Sequence, residues 1–288
     1  MKENEETRLA RFRKQCDENA SVSAGMVSLS GGVSLSVVTF TPRKAISDLP
    51  VLFVPGLASV VETFTGVIRA LAGKFIVHYL ETREKRSSQV PGGASFSVSD
   101  LAADIASAAE KLELEDRNYI LISYSLSATL SIEMFSTGLK LRPALMVLVQ
   151  PLAEFRIPRF GIPAARYLYP FYPVIKPLLK LYFKRSLIDT GKDKEMYNIS
   201  VRSLDSVHPA KMAKTLPGMS GYRVADSAAK VDVPVVVIGT SADTFHSHDD
   251  AAVIGSMIKG AVYMDLVTNT ISHSGKVCDI VLSFLEKR

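Results

Sequence analysis

Cysteine is scarce in this chain: Cys16 and Cys278 are the two found among 288 residues. Two thiols cannot build a disulfide framework or, alone, a zinc site, and their scarcity fits a reducing cytoplasm. Long apolar runs are missing too. None reaches the roughly eighteen residues that a membrane-spanning helix needs. The N-terminal stretch MKENEETRLARFRKQCDENA is too charged for a secretory signal. Phosphate cradles are lacking, because Gly31-Gly32 and Gly92-Gly93 have neither the lysine of a P-loop nor G-x-G-x-x-G spacing. Negative charge is absent from one stretch: between Phe155 and Arg185 stand seven Lys and Arg but no Asp or Glu.

What remains is ample for a folded domain. Apolar residues make up 47% of the chain, enough to bury a large core. The net charge of +5 is uneven. Pro151–Lys230 holds fourteen Lys and Arg against six Asp and Glu, which leaves the rest of the chain acidic. A nucleic-acid binder would more often be basic throughout, so no nucleic-acid partner is expected.

Residues 2–20 read as a solvated helix within an N-terminal appendage over 1–25. Met26–Ser30 and Val33–Thr41 then form a hairpin about Gly31-Gly32, and Val51–Val54 is a short buried strand. Val60–Leu71 has helical spacing, Phe75–Leu80 is extended, and Leu101–Leu112 is a helix capped by Ser97 or Ser99. Tyr119–Ile122 and Leu145–Val149 are apolar strands flanking a helix from Ser127 to about Phe135. Beyond Lys230 come the strand Val235–Ile238, a helix over Ala251–Lys259, the strand Val262–Leu266 and a closing helix. Apolar strands alternating with amphipathic helices predict an α/β protein with a mostly parallel sheet. The alternation fails over 151–219, which is expected to be a mainly helical cap inserted between 26–150 and 220–288.

The chemical question is posed by NYILISYSLSATLSIEM, Asn118–Met134. A run rich in β-branched and aromatic residues stops at Ser123-Tyr124-Ser125-Leu126-Ser127, then gives way to helical spacing. Either this is a serine-rich turn or it holds up Ser125 as a nucleophile. A strand–turn–helix elbow needs small residues two before and two after its centre. A serine nucleophile needs a base, and the base needs an orienting carboxylate. Asp243 ends VVVIGTSAD, just past an apolar strand; its plain role would be to cap the next helix. His273 stands between the last strand and the last helix. Together these residues run Ser, Asp, His at three strand ends, with the insertion between the first two. A fourth strand ends in Pro55-Gly56, where the N–H of Leu57, with that of Leu126, would face a developing oxyanion.

The marks FVPGLAS, SYSLS, VVVIGTSAD and SHS resemble those of the α/β-hydrolase superfamily, in its cap-bearing serine esterase and lipase-like branch, over roughly Met26–Arg288. The resemblance implies an α/β-hydrolase fold with Ser125 as nucleophile, His273 as base and Asp243 as its partner. It implies oxyanion donors at Leu57 and Leu126 and no cofactor. Gly56, Tyr124, Tyr169 and Tyr172 are the expected substrate contacts. The elbow has serines where the superfamily mostly has glycines, Val54-Pro55 stands where many members have a histidine, and the loop Glu81–Ser87 departs from D-x-R-G-x-G-x-S. Dehalogenases and epoxide hydrolases of this fold carry an aspartate at the Ser125 position, which disfavours those activities. The expected substrate is a small carboxylic ester with an apolar part. A catalytically weak relative that binds a lipid-like ligand or partner, and an acyltransferase or thioesterase, are the alternatives.

Phe245–Asp250, FHSHDD, invites a metal reading, but one residue separates its histidines and no distant set matches, so no metal is expected. Asp265 and Asp249 are weaker candidates for the acid, the first inside a strand pattern and the second farther from a strand end. In the cap, Arg156, Arg159, Arg166, Lys176, Lys180, Lys184 and Arg185 interleave with Phe155, Phe160, Tyr167, Tyr169, Phe171, Tyr172, Tyr182 and Phe183. Two readings stand: a lid whose aromatics pack over the sheet, or a rim for acyl chains and anionic head groups that includes peripheral contact with an anionic membrane.

Overall fold

The computed structural model describes residues 5–155, 161–182, 194–242 and 248–287. Helix α1 (Glu5–Arg13) leads into strands β1 (Ala20–Ser28) and β2 (Ser34–Pro42). Their connecting turn puts Gly31 and Gly32 at φ 67° and 73°, a conformation that glycine adopts without steric cost. Next come β3 (Val51–Val54), α2 (Thr65–Ala72), β4 (Val77–Leu80), α3 (Val98–Lys111), β5 (Ile120–Tyr124), α4 (Leu126–Glu133) and β6 (Leu145–Val149). Four helices follow among the described residues: α5 (Gly161–Leu168), α6 (Tyr172–Tyr182), α7 (Lys194–Ser206) and α8 (Pro209–Met219). The chain closes with α9 (Ala225–Ala228), β7 (Val235–Gly239), α10 (His248–Met257), β8 (Val262–Asp265), α11 (Asn269–Ser272) and α12 (Lys276–Leu285).

The strands form one eight-stranded sheet in the order β1-β2-β4-β3-β5-β6-β7-β8. β2 pairs antiparallel with β1 and β4, and every pairing from β4 across to β8 is parallel. The sequence explains this split. VLFV, ILISY, LMVLV and VVVIG are buried at every position, as strands covered on both faces must be. Their side chains alternate between two cores. Leu52, Val54, Leu121 and Leu148 pack with Leu101, Ile105, Leu130 and Ile254 on one face. Val51, Phe53, Ile122 and Val149 pack with Phe12, Ile68, Leu71 and Val281 on the other. Each fully buried Leu, Ile or Val contributes about 1.5–3 kcal/mol, so these two layers hold the strand ends in register. Ser97 Oγ accepts the Asp100 N–H at 3.2 Å, which is the cap anticipated for α3.

The N-terminal helix is not solvated as expected. Phe12 is fully buried, with ring centroids 6.2 Å from Phe40 and 5.5 Å from Tyr79. Arg8 pairs with Glu81 at 2.8 Å, and Arg11 with Glu62 at 3.4 Å. The charges that suggested solvation reach partners on the core, and one aromatic anchors the helix. β1 also begins at Ala20, inside the expected appendage. Between β6 and β7, Val207 bridges Lys85 and ties the helical segment to the sheet's loops. Arg156, Arg159, Phe160, Phe183, Lys184 and Arg185 lie outside the described residues.

Candidate active site

β5 ends at Tyr124 and α4 begins at Leu126, so Ser125 alone turns the chain. It does so at φ 50° and ψ −124°, a region that residues with a Cβ rarely visit and that costs about 1–3 kcal/mol. Neighbouring groups hold it there: its N–H donates to the Val149 carbonyl at 2.8 Å, and its carbonyl accepts from the Ala128 N–H at 3.0 Å. Ser123 and Ser127 flank it, both buried and both with φ outside the left-handed region. They therefore need to be small but need no glycine freedom. Ser127 Oγ donates to the Pro55 carbonyl at 2.6 Å. The Ser131 hydroxyl lies 3.0 Å from Ser123 Oγ and 2.9 Å from the Ser127 carbonyl.

The turn after β3 presses against this elbow. A Cβ added to Gly56 would lie 3.3 Å from Ser125 Cβ and 3.2 Å from Ser59 Oγ. Ala58, at φ 60°, donates its N–H to Glu84 Oε1 at 3.1 Å, and the Ser59 N–H returns to the Gly56 carbonyl at 3.1 Å. The Leu57 and Leu126 N–H groups donate to no other group among the described residues. Lys85, fully buried, donates from Nζ to the Ser59 carbonyl and, at 3.2 Å, to Ser206 Oγ on α7. Burial lowers the Lys85 pKa, while the Glu84 and Glu81 carboxylates act against that shift.

His273 follows α11. Its ring stacks on Phe64 with centroids 5.4 Å apart and lies 5.1 Å from the ring of Tyr124, the residue next to Ser125. Nδ1 is 2.9 Å from the Asn269 carbonyl. A carbonyl can only accept, so in the neutral imidazole this contact places the proton on Nδ1 and leaves the lone pair on Nε2, the tautomer a base needs. Asn269 is held in turn: its Oδ1 accepts from Gln150 Nε2 at 2.6 Å, and Gln150 also donates to Thr240 beyond β7. Gln150 itself sits just past β6 at φ 52°.

Neither protein-family models nor curated sequences match the chain. Solved structures do. An enol-lactonase from Burkholderia xenovorans LB400 superposes with a TM-score of 0.71 at 15% identity, over 91% of this chain and 98% of that one. A bromoperoxidase from Bacillus anthracis gives 0.71 at 13%, over 92% and 100%. The esterase EaEST from Exiguobacterium antarcticum gives 0.69 at 14%, over 91% and 98%. The chain has the α/β-hydrolase fold.

Within that fold the expected site residues meet different fates. Ser125, Gly56, Leu57, Leu126 and His273 stand at the C-terminal ends of β3 and β5 and beyond β8. Asp243 lies outside the described residues, as does the Phe245–Ser247 part of the metal reading. Asp265 is occupied at the end of β8, where Oδ1 accepts the N–H groups of Ser241 at 3.0 Å and Val267 at 2.8 Å. Tyr124 is not a wall for substrate. It is 2% exposed and donates its hydroxyl to the Ser272 carbonyl at 2.8 Å, so it supports the histidine segment from within the core. Burial pushes its hydroxyl pKa up and keeps it a donor. Tyr172 donates to the Leu204 carbonyl at 2.6 Å and ties α6 to α7, while Tyr169 is 41% exposed. Asn269, Gln150, Phe64, Glu84 and Lys85 were missed. Asn269 carried a signal, four residues before His273 at a helix start; Gln150 carried none.

Proposed function

We propose that the protein is a cofactor-independent serine hydrolase of carboxylic esters. The observation that carries this reading is Ser125, held at positive φ at the end of β5 with the Gly56 turn against it. Ser125 Oγ attacks the ester carbonyl while His273 Nε2 takes its proton, and the Asn269 carbonyl keeps the proton on Nδ1. The charge that develops on the carbonyl oxygen is met by the N–H groups of Leu57 and Leu126. Collapse expels the alcohol with the proton from His273 and leaves the acyl group on Ser125. Water, deprotonated by His273, attacks that ester, releases the carboxylic acid and restores the serine. Asp243 is the carboxylate assigned to stabilise the imidazolium.

Solved neighbours include proteins described as an enol-lactonase, an esterase and an N-acyl homoserine lactone degrading enzyme. Lactones are cyclic esters, so these names describe one kind of bond and agree with the reaction class. The test is labelling with a fluorophosphonate. Wild type should be labelled and Ser125→Ala should not, and turnover of p-nitrophenyl acyl esters should fall by roughly four orders of magnitude or more. Folded wild type that resists the probe, or a Ser125→Ala protein that reacts equally, refutes the reading.

A further inference from the structure

Close-packed interiors leave few voids larger than a water molecule. A cavity of about 20 Å³, room for roughly one water or methyl group, stands beside the elbow. Leu57, Leu126 and Ser127 are among its walls, so it borders the residue after Gly56 and the two that follow Ser125. Leu101 and Ile105 of α3 line it, as do Leu126 and Leu130 of α4; each pair shares one helix face. Leu35 of β2 and Leu80 of β4 complete the aliphatic lining, which is buried except at half-buried Leu57. Polar side chains reach the same space, but each already has a partner. Thr82 donates to Glu84 at 2.8 Å, and Glu84 also accepts the Ala58 N–H. Arg83 pairs with Asp104, Ser127 donates to the Pro55 carbonyl, and Thr215 of α8 donates to the Lys211 carbonyl at 3.0 Å. The space is thus shaped for an apolar group.

The geometry points to this cavity as the acyl subsite and to esters of short aliphatic acids, acetyl above all, as the substrates. The inference rests on the serine-hydrolase reading. With the carbonyl oxygen on the Leu57 and Leu126 N–H groups, one substituent of the carbonyl carbon turns toward these walls. The alcohol departs in the first half of the reaction and needs an open path. The acyl group stays on Ser125 until water releases it, so it is the part that a closed recess can hold. A methyl fills the space. A longer chain would have to displace Leu101, Ile105 or Leu130, all packed into the core, and overfilling a close-packed interior is unfavourable.

The experiment is turnover of p-nitrophenyl acetate, propionate, butyrate and hexanoate by the full chain, read as ratios of kcat/KM. Wild type should favour acetate over butyrate at least about tenfold, as a closed wall discriminates against added methylenes. Leu130→Ala cuts back one wall and should raise the butyrate-to-acetate ratio at least about tenfold. Should circular dichroism show that variant unfolded, Ile105→Val removes a single methyl from the same wall. It should raise the propionate-to-acetate ratio about fourfold, the factor that one buried CH2 supplies. A wild type that a fluorophosphonate labels at Ser125, yet that turns over butyrate as fast as acetate, overturns the inference and leaves the hydrolase reading standing. So do folded wall variants whose ratios match wild type. A folded wild type that resists the label refutes the hydrolase reading, and the acyl subsite with it.

Discussion

Placing at Ser127 the glycine that the resembled superfamily mostly carries should weaken this protein, although the motif alone suggests the reverse. Ser127 is 2% exposed, and its hydroxyl donates to the Pro55 carbonyl at 2.6 Å. That carbonyl belongs to the buried turn that packs on Ser125. Removing the donor leaves it without this bond in a site closed to water, at about 1–3 kcal/mol. Ser127 lies in the first turn of α4 at an ordinary helical φ, so glycine gains nothing there and adds about 0.5–1 kcal/mol of backbone entropy cost. Ser127→Ala should therefore lose about 1–3 kcal/mol and Ser127→Gly about 1.5–4 kcal/mol, measured by urea unfolding with unchanged slope. Both variants should also react more slowly with a fluorophosphonate, because the Pro55–Gly56 turn is no longer tied to the elbow helix. A Ser127→Gly protein as stable as wild type, or more so, would show that the hydroxyl contact does not hold this junction.

Two further outcomes follow from close approaches elsewhere. A Cβ on Gly66 would sit 2.8 Å from the His273 carbonyl and 3.0 Å from Ser274 Cα, both backbone atoms, so Gly66→Ala must displace the histidine segment. It should cost about 1–3 kcal/mol and slow fluorophosphonate labelling; unchanged stability and labelling would refute the packing argument. His78, with Nδ1 3.0 Å from Thr39 Oγ1, has its pKa lowered by burial. The unfolded chain, with a histidine pKa of about 6.5, therefore binds the proton first as pH falls. Stability should be fully present above about pH 6.5 and decline between there and the lower folded value, by at most about 1.4 kcal/mol per pH unit from this residue. His78→Gln should flatten unfolding curves in that window, and an identical slope in both proteins would exclude His78.

The parallel core was legible because its strands are continuous apolar runs and its helices carry one apolar stripe; Val51–Val54 and Leu145–Val149 appear at the expected bounds. The positions of Ser125 and His273 at strand ends were legible for a different reason, as polar residues placed just past such runs. The packing of α1 was not. Phe12 is a lone aromatic among charges, and nothing local says that Arg8 and Arg11 find carboxylates many residues away at Glu81 and Glu62. Nor does anything local show that the Tyr124 hydroxyl meets a carbonyl 148 residues on. Long-range hydrogen bonds of this kind leave no periodicity behind.

The departures from the superfamily pattern fall where side chains now hold the backbone. The Pro55 carbonyl accepts from Ser127, and from the divergent loop Glu84 accepts the Ala58 N–H while Lys85 donates to the Ser59 carbonyl. In the same loop Arg83 is buried against Asp104, with Nη2 2.8 Å from Oδ1. Buried ions are costly, at several kcal/mol each before pairing, so their gathering around one turn needs a compensating reason. Glu84 accepts two hydrogen bonds, from the Ala58 N–H and from Thr82 Oγ1 at 2.8 Å, and Lys85 reaches two oxygens. Bonds of this sort fix direction as well as distance. In the proposed reaction the N–H groups of this turn would face a charge that exists fleetingly, and a turn that cannot reorient would avoid reorganisation that raises the barrier. Glycines let a backbone adopt such a turn; here the carboxylate and ammonium of the loop after β4 and a hydroxyl of α4 keep it there.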